Sequence, residues 1–175
     1  MEKKTIWDLD RVDVETFRRQ EKLPVAVVLD NVRSLNNIGS IFRTADGFAI
    51  DRVVLCGISA CPPSPEIHKT ALGAEDSVKW QYYESTLDAV EALRAEGFII
   101  CCLEQVTGSI ELQDFKPQRD GKYVIVAGHE VQGVDQKVVD AADHCLEIPQ
   151  HGTKHSLNVA VSTAIAIWHF YLNLR

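Results

Sequence analysis

Three loops of the sequence carry polar residues of types that can bind a ligand. The first loop, together with the start of the predicted helix that follows it, holds Asn37 and Arg43, the second loop holds Glu130, and the third holds Asn158. Arginine brings a permanent positive charge, a carboxylate accepts hydrogen bonds, and an asparagine amide both donates and accepts them. Side chains of these types can orient a polar ligand, provided that the surrounding elements bring them together.

The first loop precedes a predicted helix over residues 38–49. Asn36 or Asn37 can cap this helix, which leaves main-chain N–H groups at its start to meet an anion. Apolar residues recur along the helix at the spacing of one buried face, and Arg43 falls about 140° from the centre of that face. Arg43 is therefore free to face a ligand. A surface arginine paired with Asp46 is the alternative.

The second loop follows a strongly apolar predicted strand over residues 123–128. Gly128 and Gly133 bracket Glu130, and glycines at the end of a strand suit a tight turn that lets another molecule approach the main chain. The pattern is not G-x-G-x-x-G, and no acidic residue follows at the expected distance, so a dinucleotide site is disfavoured. A simple turn with an exposed Glu130 is the alternative.

The third loop contains Pro149 and Gly152, which predict a turn before a final helix. Ser156 is the predicted N-cap, and the helix runs from there towards Arg175. Its apolar stripe is wider than one buried face needs. The helix is therefore either sunk in the core of its own domain or partly placed at a subunit interface.

Two kinds of catalytic site are disfavoured by spacing. His129, His151 and His155 have no cysteine or carboxylate partners at the spacing of metal ligands, so we expect no metal site. A serine hydrolase is disfavoured because the sequence has no G-x-S-x-G motif and because Ser156 is explained as a helix cap.

Length and composition predict one soluble domain that contains reduced thiols. The chain has 175 residues, of which 46% are hydrophobic, and a net charge of −7, so a polyanion partner must meet a local basic patch. Its five cysteines form no C-x-x-C pair, as expected in the cytoplasm. The charged N-terminus and the lack of a long apolar run disfavour secretion and a membrane span.

Strands and helices are predicted to alternate after Pro24, which indicates an α/β fold with a mostly parallel sheet and helices on both faces. The predicted strands are 25–30, 52–56, 78–83, 98–103, 123–128 and 145–149; the predicted helices are 38–49, 87–95, about 135–142 and 156–175. Ligands of such sheets bind at the carboxyl ends of the strands.

The chain is predicted to have a short N-terminal helical extension over residues 1–23 and a main domain over residues 24–175. Residues 8–21 form the charged helix of this extension, with Val14 and Phe17 as its apolar contacts. It either packs on the domain or contacts RNA or a partner.

In order along the chain, the three loops resemble the motifs of the SpoU, or TrmH-like, family of the SPOUT RNA 2′-O-ribose methyltransferases. The family pattern N-x-G-x-x-x-R is matched by Asn37, Gly39 and Arg43, the pattern G-x-E-x-x-G by Gly128, Glu130 and Gly133, and the pattern I-P-x-x-G-x-x-x-S-L-N-V by residues 148–159. The segment 68–74 is similar to the family's basic, small-residue stretch. The resemblance covers residues 25–170.

This resemblance implies an α/β fold whose C-terminal part forms a deep trefoil knot. It also implies S-adenosylmethionine as the methyl donor, and a homodimer that forms through the C-terminal helix. The main-chain groups that would bind the cofactor are those near Leu103, Gly128, Ile148, Ser156 and Leu157.

The implied reaction is methylation of a ribose 2′-hydroxyl in a structured tRNA or rRNA. Arg43 would act as the base or stabilise developing negative charge. Asn37 would orient its loop, Glu130 would hold Arg43 or the hydroxyl network, and Asn158 would brace the knot near the cofactor. The expected RNA contacts are Arg33, Lys69 and Lys154.

Two other functions stay open. One is a knotted RNA-binding or assembly protein without catalysis, which predicts RNA binding that is insensitive to the cofactor. The other is a doubly wound nucleotide-binding domain. The sequence also departs from the family at His129, where a small polar residue is common, and at Gln150 and Ala160. These departures bear on the identity of the RNA target.

Overall fold

The computed structural model describes residues 1–5 and 8–175, so residues 6 and 7 of the predicted N-terminal extension lie outside the described residues. The strands are β1 (Leu23–Asp30), β2 (Ile50–Cys56), β3 (Trp80–Tyr83), β4 (Phe98–Leu103), β5 (Ile110–Glu111), β6 (Lys122–Ala127) and β7 (His144–Glu147). They form one sheet in the order β3-β2-β1-β6-β4-β7-β5. Every pairing between these strands is parallel. The predicted parallel α/β class is confirmed.

Helices follow most strands, as a parallel sheet requires for its crossover connections. They are α1 (Val14–Arg19), α2 (Leu35–Gly47), α3 (Pro65–Ala71), α4 (Ala74–Ser77), α5 (Thr86–Ala95), α6 (Gln136–Ala141) and α7 (Val159–Leu174). The short elements α3, α4 and β5 were not predicted. The predicted charged helix over residues 8–21 is shorter in the structure, because Asp13 caps α1 and the chain becomes extended at Gln20.

The helices cover both faces of the sheet, which explains the continuous apolar strands. On one face, side chains of α2 and α7 pack against β1 and β6, with Phe42 and Phe170 fully buried. On the other face, α5 and α6 contribute Val90, Leu93 and Val138 to a second core. The central strands are thus held rigidly, and the loops at their carboxyl ends have a fixed base.

Two predicted helix caps were wrong. Ser34 caps α2, with its hydroxyl accepting from the Asn37 amide at 3.3 Å, so neither Asn36 nor Asn37 is the cap. Asn158 caps α7 in place of Ser156, because its Oδ1 accepts from the amides of the second and third helical residues. In both cases the sequence offered several capping residue types within a few positions, and the loop path decided between them.

No helix within the described residues is long and apolar enough to cross a membrane. Within the same part of the chain, no group of three or more His, Cys, Asp or Glu side chains is arranged to hold a metal ion.

Candidate active site

A cavity of about 500 Å³ opens at the carboxyl ends of β4, β6 and β7. Its volume lies within the usual range for small-molecule sites. All five residues predicted to bind the cofactor line it, namely Leu103, Gly128, Ile148, Ser156 and Leu157. Glu130 and Asn158 also line the cavity, so the second and third sequence motifs meet here.

Gly128 is required where the second motif turns away from β6. A Cβ atom at Gly128 would lie 2.2 Å from the carbonyl carbon of Gly133 and 2.2 Å from the amide nitrogen of Val134. No side chain fits in that space, so the main chain itself forms this wall of the cavity. Gly133 has a positive φ of 71°, which closes the turn.

The Glu130 carboxylate joins the second motif to the first. Its oxygens accept hydrogen bonds from the amides of Arg33, at 3.0 Å, and Ser34, at 2.8 Å. They also accept one from Asn37 Nδ2, at 3.2 Å. Glu130 therefore holds the loop that leads into α2. Within one chain, Arg43 is not among the hydrogen-bond partners described for Glu130, so the contact with Arg43, one of the two roles expected for this carboxylate, is not seen there.

Glu130 is ionised as a result of these contacts. Burial raises the pKa of its carboxyl group, but the hydrogen bonds from the main chain of Arg33 and Ser34 outweigh burial and hold the pKa below its usual value. A carboxylate that accepts amide hydrogen bonds is stabilised in its charged form. At neutral pH, Glu130 thus acts as an acceptor and holds no proton to give.

Asn37 connects Glu130 to the third motif. Asn158 Nδ2 donates to Asn37 Oδ1 at 3.1 Å, while Asn158 Oδ1 caps α7. The three predicted polar residues Asn37, Glu130 and Asn158 therefore form one chain of hydrogen bonds.

Gly39 allows the helices α2 and α3 to pack closely. A Cβ atom at this position would lie 2.2 Å from Thr70 Oγ1 and 2.3 Å from the carbonyl oxygen of Ile67. Thr70 Oγ1 also donates to the carbonyl oxygen of Asn36 at 2.9 Å. The glycine of the first motif thus brings α3, and Lys69 with it, beside α2.

Arg43 lies in a second hollow, between α2, α3 and α7, where its neighbours include Lys69, Thr70 and Ala164. Its side chain is exposed and has no ion pair with another described residue. Asp46, the alternative partner, instead accepts a hydrogen bond of 2.5 Å from Ser77 Oγ. Among the described residues, this hollow shares no lining residue with the cavity of the second and third motifs. Within one chain, Arg43 is therefore not placed at that cavity.

The residues predicted to contact RNA are spread over three places. Lys69 lies beside Arg43. Arg33 lies in the first motif loop, where its amide binds Glu130. Lys154 is exposed in the third loop, next to His155, which lines the cavity. The structure brings Lys69 and Arg43 together but does not place Lys154 in the same hollow.

Glu104 is a site residue that the sequence analysis missed. It directly follows β4, and its two carboxylate oxygens accept from the amides of Gln105 and Val134, each at 2.9 Å. It thereby ties the loop after β4 to the loop after β6. The signal was available, because Glu104 is a charged residue at the carboxyl end of a predicted buried strand.

The charges that line the cavity fit a cationic cofactor. Glu104, Glu130 and Glu147 contribute carboxylates, and no lysine or arginine is among its described lining residues. Such a site favours a positively charged sulfonium ligand over the phosphates of a dinucleotide or of ATP. Together with the main-chain wall at Gly128, this matches S-adenosylmethionine better than the alternative of a nucleotide-binding domain.

Comparison with known proteins agrees with this geometry. The profile of the SpoU rRNA Methylase family matches residues 24–168. An uncharacterized tRNA/rRNA methyltransferase from Borreliella burgdorferi is 31% identical over 93% of this chain and 69% of its own length. A 23S rRNA (guanosine-2′-O-)-methyltransferase from Pseudomonas syringae pv. tomato is 25% identical over 93% of this chain and 64% of its own length.

A solved structure with cofactor is also similar. The AdoMet-bound rRNA methyltransferase from Sinorhizobium meliloti has a TM-score of 0.80 and 26% identity, over 90% of this chain and 62% of that chain. This chain thus spans about two thirds of the length of the relatives it matches. Since the family profile covers residues 24–168 and its second and third motifs line one cavity, the chain belongs to the SpoU rRNA methylase family.

Proposed function

We propose that this protein transfers a methyl group from S-adenosylmethionine to a ribose 2′-hydroxyl in a structured tRNA or rRNA. The observation that carries the proposal is the cavity lined by the second and third motifs, with its main-chain wall and its three carboxylates. The names of the relatives, which include a guanosine-2′-O-methyltransferase, support the choice of reaction.

The cofactor would be held by main-chain groups near Leu103, Gly128, Ile148, Ser156 and Leu157, which line the cavity. When bound, S-adenosylmethionine supplies an electrophilic methyl group on a sulfonium centre. The hydroxyl oxygen would bond to that methyl group as the methyl–sulfur bond breaks, which releases S-adenosylhomocysteine, and the hydroxyl proton would pass to water or to an RNA phosphate. The chain has to position the hydroxyl, whose pKa is far above neutral, and stabilise the negative charge that develops on its oxygen as the proton leaves.

Arg43 is the residue proposed to stabilise that charge. A guanidinium group supplies five N–H donors and no acceptor, so charge stabilisation suits it better than proton abstraction. Lys69 lies in the same hollow and would bind a nearby RNA phosphate. Arg33 and Lys154 would bind the RNA backbone from the other loops.

A second copy of the chain would complete the site. Arg43 and the cofactor cavity are separate within one chain, and both lie beside α7: Ala164 lines the hollow of Arg43, while Asn158 and Ser162 line the cavity. A two-fold contact along α7 would pair the hollow of one protomer with the cavity of its partner.

The surface of α7 supports this dimer. Val161, Ile165, Trp168 and Leu172 form a stripe along one face of the helix and are between 38% and 58% exposed. The opposite face is buried in the core through Thr163, Ala166, Ile167 and Phe170. An apolar stripe of this length on a helix marks a surface for another protein.

Three further parts of the proposal rest on the family and the sequence. We infer that the C-terminal part of the chain forms a deep trefoil knot, and that residues 1–23 are an extension to a methyltransferase domain over residues 24–175. The five free cysteines support a reducing compartment, so the cytoplasm is the proposed location.

The decisive experiment compares Arg43→Ala with the wild-type protein and with Arg119→Ala, which removes an exposed arginine just before the amino end of β6. Methyl transfer to total tRNA and rRNA from cells that lack this gene should fall at least about 100-fold in Arg43→Ala, because one charge-stabilising donor is lost. Calorimetry should show that S-adenosylhomocysteine binds all three proteins alike. Full methyl transfer by Arg43→Ala would overturn the role of Arg43.

RNA binding measured with and without S-adenosylhomocysteine, alongside methyl transfer, separates the rival function. A knotted RNA-binding protein without catalysis would bind RNA equally with and without S-adenosylhomocysteine and would transfer no methyl group. The intact set of Asn37, Arg43, Glu130 and Asn158 argues against this rival, because a protein that only binds RNA needs neither the hydrogen-bonded polar residues nor a charge-stabilising arginine.

A further inference from the structure

His129 lies just after the carboxyl end of β6 and lines the cavity. Its ring has an unusual set of hydrogen-bond partners. Nδ1 lies 3.1 Å from the amide nitrogen of Val131 and 3.2 Å from that of Gln132. A main-chain N–H group can only donate, so Nδ1 must accept both hydrogen bonds. The partners therefore assign the neutral ring, with its proton on Nε2.

The main chain of His129 closes the same loop at its base. Its N–H donates to the carbonyl oxygen of Gly133 at 3.0 Å, and its carbonyl oxygen accepts from the Gly133 amide at 2.9 Å. These two bonds form an isolated bridge. The loop 129–133 is thus closed at its base by the main chain of His129 and filled inside by its ring, as an Asx turn is filled by an asparagine oxygen.

The shape of this loop sets two parts of the site. Glu130, the next residue, reaches the first motif and accepts from Arg33 and Ser34. Gly133 packs against the position where a Gly128 side chain would stand, and so forms part of the cavity wall. If the ring loses its acceptor, both the wall and the Glu130 contacts have to move.

We propose that His129 is a positioning residue that holds the loop 129–133 in its cofactor-binding shape through an unprotonated Nδ1. A ring with a proton on Nδ1 offers only a donor to two amides that are themselves donors, so it cannot hold the loop closed. Imidazole is the side chain that changes charge near neutral pH. Protonation of Nδ1 should therefore weaken cofactor binding. This inference rests on the proposed cofactor cavity.

Other titratable groups line the same cavity as His129 and contribute a pH dependence of their own. Glu104 after β4, Glu130 in the same loop, Glu147 on β7 and His155 before α7 all line the cavity. A variant that removes only the titration of position 129 is needed to separate their effects. Asparagine is suitable, because its Oδ1 accepts amide hydrogen bonds in an Asx turn and does not titrate.

The experiment measures S-adenosylhomocysteine binding by calorimetry at about pH 8 and about pH 5.5, which bracket imidazole titration. The wild-type protein should bind about tenfold more weakly in acid, because two hydrogen bonds are lost. His129→Asn should bind as the wild type does at the higher pH and lose little affinity in acid. His129→Ala should bind weakly at both values. His155→Asn retains the ring at position 129, so its affinity for S-adenosylhomocysteine should fall between about pH 8 and about pH 5.5 as it does in the wild type.

Amide hydrogen exchange in the absence of any cofactor gives an independent readout. The Val131 and Gln132 amides should be protected at about pH 8 and lose protection at about pH 5.5, relative to intrinsic exchange, in the wild type but not in His129→Asn. An equal acid loss in His129→Asn, or unchanged protection in the wild type, would overturn the inference. If these amides behave as expected but no cofactor binds at any pH, the proposed cavity is wrong and the loop mechanism stands.

Discussion

Asn158 donates a hydrogen bond of 3.1 Å from Nδ2 to Oδ1 of Asn37, which lies 121 positions earlier in the chain. The oxygen of the same Asn158 amide caps α7, so its orientation is set by the helix. The Asn37 side chain is oriented in turn, because its Oδ1 accepts from Asn158 and its Nδ2 donates to Glu130. Every donor in this chain of side chains thus points towards the Glu130 carboxylate, and the motifs are locked in one arrangement.

Asn158 both caps α7 and donates a hydrogen bond to Asn37, and substitution can separate these two roles. Asn158→Asp keeps an oxygen that caps α7 but has no N–H for Asn37, whereas Asn158→Ala loses both. We expect Asn158→Ala to lower the free energy of unfolding by about 1 kcal/mol and Asn158→Asp to stay near the wild type. Methyl transfer should fall in both. Urea unfolding and kcat measurements check this, and a fully active Asn158→Asp would show that the link to Asn37 has no role in turnover.

Glu130→Gln should destabilise the protein in a manner that depends on pH. The folded-state pKa of Glu130 lies below the ordinary value of 4.5, so its stabilising contribution is present above that value and is lost as the pH falls through the folded pKa. We expect a loss of about 1–2 kcal/mol at neutral pH, because hydrogen bonds to a charge are weakened. The difference from wild type should shrink below about pH 4.5.

Urea unfolding at several pH values measures this effect. Glu91→Gln, on the exposed side of α5, is the matched control and should change stability little. If Glu130→Gln lowers the free energy of unfolding by the same amount at acidic and at neutral pH, the role assigned to the carboxylate charge is wrong.

Two glycines of α2 provide a matched pair for the packing of α3. Gly39→Ala places a Cβ atom 2.3 Å from the Ile67 carbonyl oxygen, while a Cβ atom at Gly47 meets nothing within 4 Å. We expect Gly39→Ala to destabilise by about 1–3 kcal/mol through overpacking. Gly47→Ala should be neutral or stabilise by up to about 1 kcal/mol through helix propensity. Thermal unfolding tests both, and equal effects would mean that the α2–α3 approach is not close.

Mixed dimers test whether each active site combines two chains. Arg43→Ala keeps an intact cavity, and Gly128→Ala keeps Arg43 but fills the cavity wall, where its Cβ would lie 2.2 Å from Gly133. Each variant alone should be inactive. Random mixing should restore about a quarter of wild-type activity, since half the dimers are mixed and each holds one intact site. No recovery, with mixed dimers demonstrated by two affinity tags, would place both groups in one chain.

The five cysteine thiols should fall into two classes that differ in their rate of reaction with a thiol reagent. Burial raises the pKa of Cys56 to about 12 and also raises the pKa of Cys101 and Cys102, which are fully buried on β4. Only Cys61 and Cys145 are partly exposed. Titration of the native protein with a thiol reagent should therefore modify these two slowly, and all five after unfolding. Rapid modification of Cys101 in the native state would contradict the packed sheet.

The alternation of apolar runs was enough to predict the class of fold. Val25, Val27 and Leu29 are buried on one face of β1, and Ala26 and Val28 on the other, which is why β1 reads as a continuous apolar run. The strand order, with β1 and β6 adjacent, depends on contacts between distant segments, and no local pattern specifies it. The two-residue strand β5 pairs only with β7 and has no sequence signal of its own.

The residues of the candidate site could be predicted from the sequence, but the hydrogen bonds that join them could not. The second and third motifs identified many of the cavity residues, because Gly128 and Gly133 mark the turn that forms its wall. That Glu130 binds the main chain of Arg33 and Ser34 rather than Arg43 could not be predicted, since it depends on how the loops after β1 and β6 meet. The role of His129 was hidden for the same reason: its partners are main-chain amides, which no residue type reveals.

Helix α7 begins at the cavity and runs for 16 residues, a length of about 24 Å. Its first turn is clamped by Asn158, and Leu172 near its far end is exposed. Because Ala166, Ile167 and Phe170 are fully buried, the helix is fixed to the core between these two ends. The mouth of the cavity and the exposed surface at Leu172 therefore belong to one rigid segment, which keeps the distance between them constant.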